Sequence, residues 1–342
     1  MSSMEKRKLL YLGNKATSFG GTVTTMESLS GHLISEGFDV ISASSRKNKV
    51  LRLWDMIFTV LKHARRTQYV LIDTYSTQNF YYAVTIGNIC RLLKIPYIPI
   101  LHGGNLPERL RKSKRLSWKL FNGAKQNVAP SGYLLEHFRR SGYNNVAHIP
   151  NSIDVELYPF KLRSSVKARL LWVRSFAEIY NPTLAIKIVE ELMNKGIDVE
   201  LCMVGPEKDG SLERCKKLAG EKSLPVRFTG RLNKEEWIQL SESYDIFINT
   251  TNFDNMPVSV IEAMALGLPV ISTKVGGIPF LLEDNKDAIL VDANDKEGFC
   301  NAISMLLKDK EFGIRIARNA RKKVEKFDWE EVKQLWFEIL KA

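Results

Sequence analysis

The chain has 342 residues, of which 44% are hydrophobic and 26% charged, a composition that excludes a disordered chain and allows two domains. No apolar run approaches the roughly 18 residues of a membrane-spanning helix, and the first residues lack the apolar segment of a signal peptide. The four cysteines are scattered without ligand-like pairing, which fits a reducing cytosol and predicts no metal site.

The formal net charge of +12 is concentrated in the first half of the chain. Residues 1–165 carry 24 Lys+Arg against 10 Asp+Glu, a net charge of +14, so the remainder is slightly acidic. This imbalance predicts an anionic partner for the first half, such as a membrane surface, a lipid-linked diphosphate or a nucleic acid. We find no nucleic-acid recognition motif or pattern of stacking aromatics, and therefore expect no nucleic-acid partner.

In chain order, the first half alternates short apolar runs with amphipathic segments. The first predicted strand is Lys8–Leu12, and a helix is predicted from near Thr22 to Gly37. Further strands are predicted at 38–43, 69–73, 96–101, 126–129 and 146–149, and helices near 51–66, 78–93, 107–121 and 131–141. This alternation predicts a parallel sheet with helices on both faces and ligands at the carboxyl ends of the strands.

A glycine pair, Gly20 and Gly21, follows the first strand and precedes the first helix. Backbone without side chains can approach a diphosphate closely at such a strand-to-helix turn. A tight turn that binds no ligand would carry the same pair, so the alternative stays open.

His102 stands at the carboxyl end of the strand Tyr97–Leu101 and is followed by Gly103 and Gly104. A polar side chain before flexible glycines at this edge of a parallel sheet is a candidate for chemistry. A structural histidine is the alternative interpretation.

Two helical segments of the first half are candidates for a surface contact. In Leu106–Phe121 the apolar side chains share one side, and the other carries Arg111, Lys112, Arg115 and Lys119. A basic amphipathic helix with a tryptophan, here Trp118 on the apolar side, suits an anionic membrane, whereas the alternative is a core helix with a solvated basic face. The segment Leu51–Leu61 is apolar nearly all round, which predicts a buried helix, with docking at a membrane interface as the second option.

The second half repeats the alternation after a linker predicted at 154–167, which contains Pro159. Strands are predicted at 169–173, 199–204, 226–229, 244–248, 269–273 and 288–291. Helices are predicted at 182–195, 211–221, 234–242, 257–266, 277–283, 296–308 and 311–326. The last segment, from Asp328 onward, is amphipathic and predicts a further helix.

The most informative stretch contains two acids, Asp254 and Glu262, separated by seven residues. Asp254 lies in a turn after a buried strand, and Pro257 suits the first position of the helix that carries Glu262. Free backbone N–H groups at this helix start attract phosphate, and a carboxylate further along the helix can accept bonds from sugar hydroxyls. The combination suits a nucleotide sugar, although Asp254 could alternatively only cap the helix.

The acid spacing, followed by Ala-Met-Ala-x-Gly-x-Pro-Val-Ile, resembles the signature of family 4 (group 1) retaining glycosyltransferases of the GT-B fold. This resemblance implies an α/β protein with two facing Rossmann-like, doubly wound parallel-sheet domains and an interdomain cleft. The implied domains are residues 1–160 for the acceptor, 161–326 for the nucleotide sugar, and 327–342 as a helix that crosses back to the first. The sequence departs from the family pattern at Asp254, where Glu is usual, and at Met256 and Pro257, which replace Phe-Gly.

The resemblance also implies roles for individual residues. It assigns His102, Asp254 and Arg174 to the reaction centre, with Arg174 meeting the donor diphosphate, an anion that a planar guanidinium can bind in bidentate fashion. The family's usual lysine a few residues later is absent, and Tyr180 stands in that region. The residues implied to bind the donor are Gly20, Gly21, Tyr180, Arg231, Asn255, Met256, Pro257, Val258 and Glu262.

We therefore expect a retaining, metal-independent hexosyltransferase-type enzyme that needs no cofactor and uses a sugar nucleotide such as a UDP- or GDP-sugar. The expected acceptor is a lipid-linked or cell-surface glycan precursor in bacterial polysaccharide biosynthesis, bound with the help of Arg111, Lys112, Arg115 and Lys119. The expected location is the cytoplasm, with peripheral attachment to the cytoplasmic face of the membrane. The alternative is a non-catalytic nucleotide-sugar-binding or scaffold protein with a degenerate site, which the missing lysine would allow.

Overall fold

In the computed structural model, the residues described are 8–13, 24–44, 46, 48–163 and 165–341. The chain divides into two compact units. Unit 1 comprises Met1–Ser152 and Trp329–Ala342, and unit 2 comprises Ile153–Asp328. The first unit therefore contains both ends of the chain.

Unit 1 is built around a six-stranded parallel sheet with the order β2-β1-β3-β4-β5-β6. The strands are β1 (Lys8–Leu12), β2 (Asp39–Ala43), β3 (Thr67–Thr74), β4 (Tyr97–Leu101), β5 (Asn127–Ala129) and β6 (Val146–His148). The helices that connect them are α1 (Thr25–Ser35), α2 (Lys49–His63), α3 (Asn79–Leu92), α4 (Leu106–Lys112), α5 (Lys114–Asn122) and α6 (Gly132–Arg140).

Both faces of this sheet are buried, which explains why its strands are continuously apolar. In β1, Leu10 and Leu12 join the core formed with helices α2 to α6, whereas Leu9 and Tyr11 join the core formed with α1. The period of two along a strand sends neighbouring side chains to opposite faces. The strand therefore anchors two layers of helices at once.

Unit 2 has a second six-stranded parallel sheet with the order β12-β11-β10-β7-β8-β9. Its strands are β7 (Ala168–Val173), β8 (Val199–Val204), β9 (Val226–Gly230), β10 (Ile246–Asn249), β11 (Val270–Thr273) and β12 (Ile289–Val291). Its helices are α7 (Pro182–Asn194), α8 (Ser211–Glu221), α9 (Lys234–Ser241), α10 (Val258–Ala265), α11 (Ile278–Leu281), α12 (Lys296–Lys308) and α13 (Lys310–Glu325). Two separate apolar cores cover the two sheet faces.

The final helix, α14 (Trp329–Leu340), packs on the face of the first sheet that also carries α1. Trp329 stacks on His32 with ring centroids 4.5 Å apart, and Lys333 bonds to Glu36 at 3.2 Å. The first unit is thus completed by residues that follow the whole of the second in sequence.

The predicted alternation of strands and helices, and with it the doubly wound α/β class, is confirmed, but two helices of unit 1 differ from expectation. The helix expected over 107–121 is broken at Ser113, whose φ of −124° and ψ of 47° are not helical. Trp118 was expected on the apolar side and is instead exposed, because the buried side of α5 is formed by Ser117, Leu120 and Phe121.

The prediction that Leu51–Leu61 forms a buried helix is wrong. Only Met56 and Val60 of α2 are buried. Large apolar side chains also cover the side of α2 that faces away from the sheet, and no described neighbour covers them. The sequence pattern could not predict this exposure, since a helix that is apolar on all sides is normally buried.

Candidate functional site

In each unit, several of the candidate site residues lie where the strand order reverses. In unit 2 this point lies between β7 and β10, and in unit 1 between β1 and β3. Loops that leave neighbouring strands in opposite directions open a crevice at the carboxyl ends, where open α/β sheets bind ligands. Arg174 follows β7, and residues 250–257, which we call the Asp254 loop, follow β10. Tyr11 belongs to β1 and Asp73 to β3.

Arg174 forms an ion pair with Asp254, and its guanidinium lies 4.3 Å from the ring centroid of Tyr180. Both charged side chains are largely buried, at 17% and 12% exposure. Burial lowers the pKa of Arg174, an effect that Tyr180 opposes. The Nε of Arg174 is buried without an acceptor in the described part of the chain. A planar cation with an unused donor is suited to an oxyanion.

Asp254 does not cap the following helix, so that alternative is wrong. The helix α10 begins at Val258, Pro257 occupies the cap position, and no side chain caps it. The carboxylate of Asp254 instead accepts from the N–H of Asn255 at 2.9 Å and pairs with Arg174. Pro257 was expected as the first helical residue and precedes it by one.

The first turn of α10 has backbone N–H groups without a hydrogen-bond acceptor among the described residues. Within the described residues, the N–H groups of Val258 and Ser259 donate to no oxygen, as is usual for a first helical turn without a cap. The hydroxyl of Ser259 is also buried and unpaired there. Free donors and the positive end of the helix dipole together favour an anion.

The backbone of two glycines, Gly276 and Gly277, packs directly against the backbone of the Asp254 loop. The N–H of Gly277 donates to the carbonyl of Asp254 at 2.8 Å. A Cβ at Gly277 would meet the carbonyl of Asn255 at 1.9 Å, and one at Gly276 would meet that of Asp254 at 2.2 Å. Backbone contact this close requires glycine and fixes the position of residues 254–256.

Glu262 lies one turn further along α10 and is 8% exposed. Its Oε1 accepts a 2.6 Å hydrogen bond from the hydroxyl of Tyr158, and the Nζ of Lys234 lies 3.9 Å away. Burial raises the pKa of Glu262, and the bond from Tyr158 and the charge of Lys234 partly offset this. Sequence reasoning missed both partners, because Tyr158 falls in the segment read as a linker and Lys234 opens an ordinary surface helix.

Three other residues predicted to bind the donor are not part of this cluster in the described structure. Arg231 is exposed after the edge strand β9. Gly20 and Gly21 lie outside the described residues.

In unit 1, His102 is anchored by an aspartate that the sequence analysis did not single out. The Nε2 of His102 lies 2.7 Å from Oδ1 of Asp73, and the hydroxyl of Tyr11 donates to the same oxygen at 3.0 Å. Tyr75 stacks on the imidazole with centroids 5.2 Å apart. Asp73 sits near the end of β3, and a lone acid inside an apolar run was the available signal. The structure therefore places His102 in an ordered polar cluster at a strand end.

The predicted acceptor residues surround a surface groove of about 910 Å³ between α4, α5 and the end of α6. Leu110, Leu116, Trp118 and Tyr143 contribute apolar lining, and the cations along it are Arg111, Lys114, Arg115 and Lys119. Lys112 lies outside this lining and bonds to Glu108 at 2.8 Å. The groove therefore combines apolar surface with a positive rim.

The residues that the structure describes contain neither a cluster of metal ligands nor a membrane-spanning helix. No group of three or more His, Cys, Asp or Glu side chains in these ranges is arranged to hold a metal ion. Among the helices that the structure describes, none is long and apolar enough to cross a bilayer.

Two family models match the chain. The model described as glycosyl transferases group 1 matches residues 154–323, and the model described as glycosyltransferase family 4 matches residues 19–157. The first match contains Arg174, the Asp254 loop and Glu262, and the second contains His102, Asp73 and Tyr75 but not Tyr11.

Several curated proteins share part of the sequence. A sulfoquinovosyl transferase of Arabidopsis thaliana is 30% identical over 42% of this chain and 28% of its own length. A D-inositol 3-phosphate glycosyltransferase of Corynebacterium jeikeium is 27% identical over 46% of this chain and 40% of its own. An amylovoran biosynthesis glycosyltransferase of Erwinia amylovora is 26% identical over 72% and 64%. The chain thus spans less than two thirds of each of these relatives.

Solved structures share the fold over almost the whole chain. HepE of Anabaena, crystallised with UDP and glucose, superposes with a TM-score of 0.76 at 18% identity and covers 98% of this chain and 99% of its own. Sucrose-phosphate synthase from Thermosynechococcus elongatus superposes with a TM-score of 0.80 at 16% identity, covering 98% and 100%. At these identities the likeness defines the fold alone.

Proposed function

We propose that this chain, which belongs to the group 1 glycosyl transferases of family 4 and has the GT-B fold, transfers a sugar from a nucleotide-sugar donor to an acceptor. The observation that carries the proposal is the set of unused donors in unit 2. Arg174 Nε, the hydroxyl of Ser259 and the free N–H groups at the start of α10 all lie in segments that follow β7 and β10, at one reversal of strand order. Such donors suit the diphosphate of a sugar nucleotide.

The diphosphate is the leaving group of this reaction, so its stabilisation is the main catalytic task of unit 2. Arg174 provides a positive charge in largely buried surroundings, where electrostatic interactions are stronger than in water. Tyr180 supports the guanidinium by a cation–π contact, in the region where the family has a lysine. When the phosphate binds, Arg174 exchanges its contact with Asp254 for the phosphate oxygens, and Asp254 becomes free to orient the donor sugar.

Glu262 is the proposed partner of the nucleotide ribose. Its carboxylate keeps acceptor capacity beyond the bond from Tyr158, since an ionised carboxylate offers about four lone-pair sites. Tyr158 and Lys234 hold the carboxylate in one orientation. The complexes of HepE with UDP, UDP-glucose, and UDP and glucose support a uridine nucleotide as the donor to test first.

We further propose that transfer is retaining and needs neither a divalent metal nor a cofactor. The support is the family resemblance, in which the departing phosphate oxygen itself accepts the proton of the acceptor. The protein then positions the substrates and stabilises developing negative charge. His102, held by Asp73, is the proposed orienting group of unit 1.

A lipid-linked or cell-surface glycan precursor is the proposed acceptor. The groove of unit 1 offers apolar lining for a hydrocarbon chain and four cations for a phosphate head group. Arg115 and Lys119 form no ion pair with any residue that the structure describes, so their charges are free to act on a ligand. The Erwinia relative, named for amylovoran biosynthesis, supports a role in polysaccharide assembly.

A donor screen followed by two substitutions tests this function. We expect one of UDP, GDP or ADP, or its sugars, to raise the melting temperature, because a ligand that binds only the folded state stabilises it. With that donor, Arg174→Ala and Glu262→Ala should each reduce turnover by roughly 10-fold or more, because each removes hydrogen bonds that involve a charged group.

Arg169→Ala is the matched control. Arg169 lies near the opposite end of β7, and its pair with Glu200 is about half exposed. Its loss should leave donor binding and turnover unchanged, since surface pairs contribute little. A wild-type protein that binds a nucleotide sugar but transfers nothing across a panel of acceptors would favour the non-catalytic alternative.

A further inference from the structure

The outward face of α2 is a feature of unit 1 that the proposed function does not use. Its exposed apolar residues are Val50, Leu51, Trp54, Phe58 and Leu61, each at least 54% exposed. Their spacing of three or four residues places them on one side of the helix, opposite the buried Met56 and Val60. No residue that the structure describes covers this stripe, which we call the α2 stripe. Contiguous exposed apolar surface of this kind marks an interaction site.

Positive charge flanks the α2 stripe. Lys49 and Arg52 lie in the first turn of the helix, and Lys62, Arg65 and Arg66 lie at or just after its end. Asp55 is the single acid within α2. An apolar face with Trp and Phe, flanked by Lys and Arg, is the pattern of a helix that lies in the interface of an anionic bilayer.

A second exposed aromatic residue lies on the same layer of unit 1. Helices α2 and α5 both contact α3, and all three pack on one face of the first sheet. Trp118 of α5 is 60% exposed and stands between Arg115 and Lys119 in sequence. The layer therefore offers two sites where an aromatic side chain is accompanied by cations.

We propose that α2 docks unit 1 on an anionic lipid bilayer, with Leu51, Trp54, Phe58 and Leu61 inserted at the boundary between head groups and acyl chains. From Leu51 to Leu61 the stripe is about 15 Å long at the helical rise per residue, so it lies in the interface and does not span it. Lys62, Arg65 and Arg66 then meet lipid phosphates. This docking does not depend on the glycosyl-transfer reaction, since none of these residues belongs to the donor site.

Vesicle binding tests the docking. The 342-residue protein should sediment with phosphatidylglycerol–phosphatidylcholine vesicles and much less with phosphatidylcholine alone. Trp54→Ser/Phe58→Ser should weaken this binding by roughly 10-fold or more, because two large apolar side chains no longer leave water. The control is Ile34→Ser, at a residue that is 54% exposed on α1, which packs on the other face of the sheet.

A spectroscopic readout distinguishes insertion from adsorption by charge alone. Brominated lipids should quench part of the tryptophan fluorescence, and this part should disappear in Trp54→Phe while vesicle binding remains. Vesicle binding should also weaken less with increasing salt concentration than the binding of a protein held by charge alone.

The proposal fails if the double variant binds vesicles as the wild type does, or if the wild type binds neither composition. It also fails if light scattering shows a dimer that the double variant dissociates, because the stripe would then be an interface between two copies. The nucleotide-induced melting shift of the double variant reports separately on the donor site. A failure of docking and a failure of the proposed enzyme function can therefore be told apart.

Discussion

Glu262 combines two demands that conflict. A carboxylate that is to accept bonds from a ribose should be ionised, yet its burial disfavours the charge and raises its pKa. The hydroxyl of Tyr158, at 2.6 Å, and the ammonium group of Lys234, at 3.9 Å, reduce this cost but do not abolish it. The donor site is therefore maintained at some expense of folding stability.

This conflict predicts the pH dependence of unfolding. Because the folded state raises the pKa of Glu262 above its ordinary value of 4.5, it binds a proton more tightly than the unfolded chain does. Its contribution to stability is fully present below pH 4.5 and is lost as the pH rises through the raised pKa. Glu262→Gln lacks this loss, so its free energy of unfolding relative to the wild type should increase with pH across that window.

Urea unfolding of both proteins at a series of pH values measures the difference. Each tenfold change in proton affinity corresponds to about 1.4 kcal/mol. A difference between wild type and Glu262→Gln that stays constant with pH would contradict the burial argument.

Among the elements, α10 shows how a loop and a helix form one site. The helix is buried over almost its entire length, so its position is rigid, while its first turn keeps unused donors. The loop before it is held by Gly276 and Gly277, whose backbone leaves no room for a side chain. Asp254 is thus positioned by the segment between β11 and α11, whereas Glu262 is positioned by its own helix.

Gly277→Ala should therefore impair donor binding without unfolding the protein. The new Cβ would meet the carbonyl of Asn255 at 1.9 Å, so residues 254–256 must move. A displacement of about 1 Å at such a site can cost on the order of 100-fold in rate. We expect a loss of donor affinity in titrations, together with an unchanged far-UV circular dichroism spectrum.

Gly220→Ala is the matched glycine control. Gly220 lies in α8, where an added Cβ meets no atom within 4 Å. Alanine is favoured over glycine in a helix, so this variant should be more stable by about 0.5–1 kcal/mol and bind the donor normally. Equal donor affinities of the two glycine variants would contradict the proposed role of the close contact.

For the whole molecule, the last helix matters to a unit that begins the chain. Trp336 is 3% exposed and, with Trp329, Val332 and Leu340, completes the core on one face of the first sheet. Unit 1 therefore cannot acquire its full core until the residues after unit 2 have been synthesised. This arrangement links the stability of the first unit to the last residues of the chain.

Trp336→Ala should lower the free energy of unfolding of unit 1 by about 3–5 kcal/mol, the usual cost of removing a buried aromatic side chain. The neighbouring substitution Leu335→Ala, at a residue that is 36% exposed, should cost less than about 1 kcal/mol. Chemical denaturation followed by circular dichroism measures both. Similar losses for the two variants would show that α14 is not part of the core.

The sequence by itself determined the order of elements and the family. Strands that are buried on both faces are continuously apolar, and their alternation with amphipathic helices predicts a doubly wound sheet wherever it occurs. Asp254 lies in the turn directly before the helix that contains Glu262, so the local sequence is sufficient to predict their relative position. These signals are local, and they predicted most helix and strand bounds to within two residues.

Only the tertiary structure decided which distant residues meet and which apolar faces stay uncovered. Tyr158 reaches Glu262 across 104 positions, and Asp73 reaches His102 across 29, because parallel strands bring remote segments to one edge. The exposure of Trp54 and Trp118 likewise depends on how helices are placed over the sheet. A helical pattern records that a side chain is apolar, but only its neighbours in space determine whether that side chain is buried.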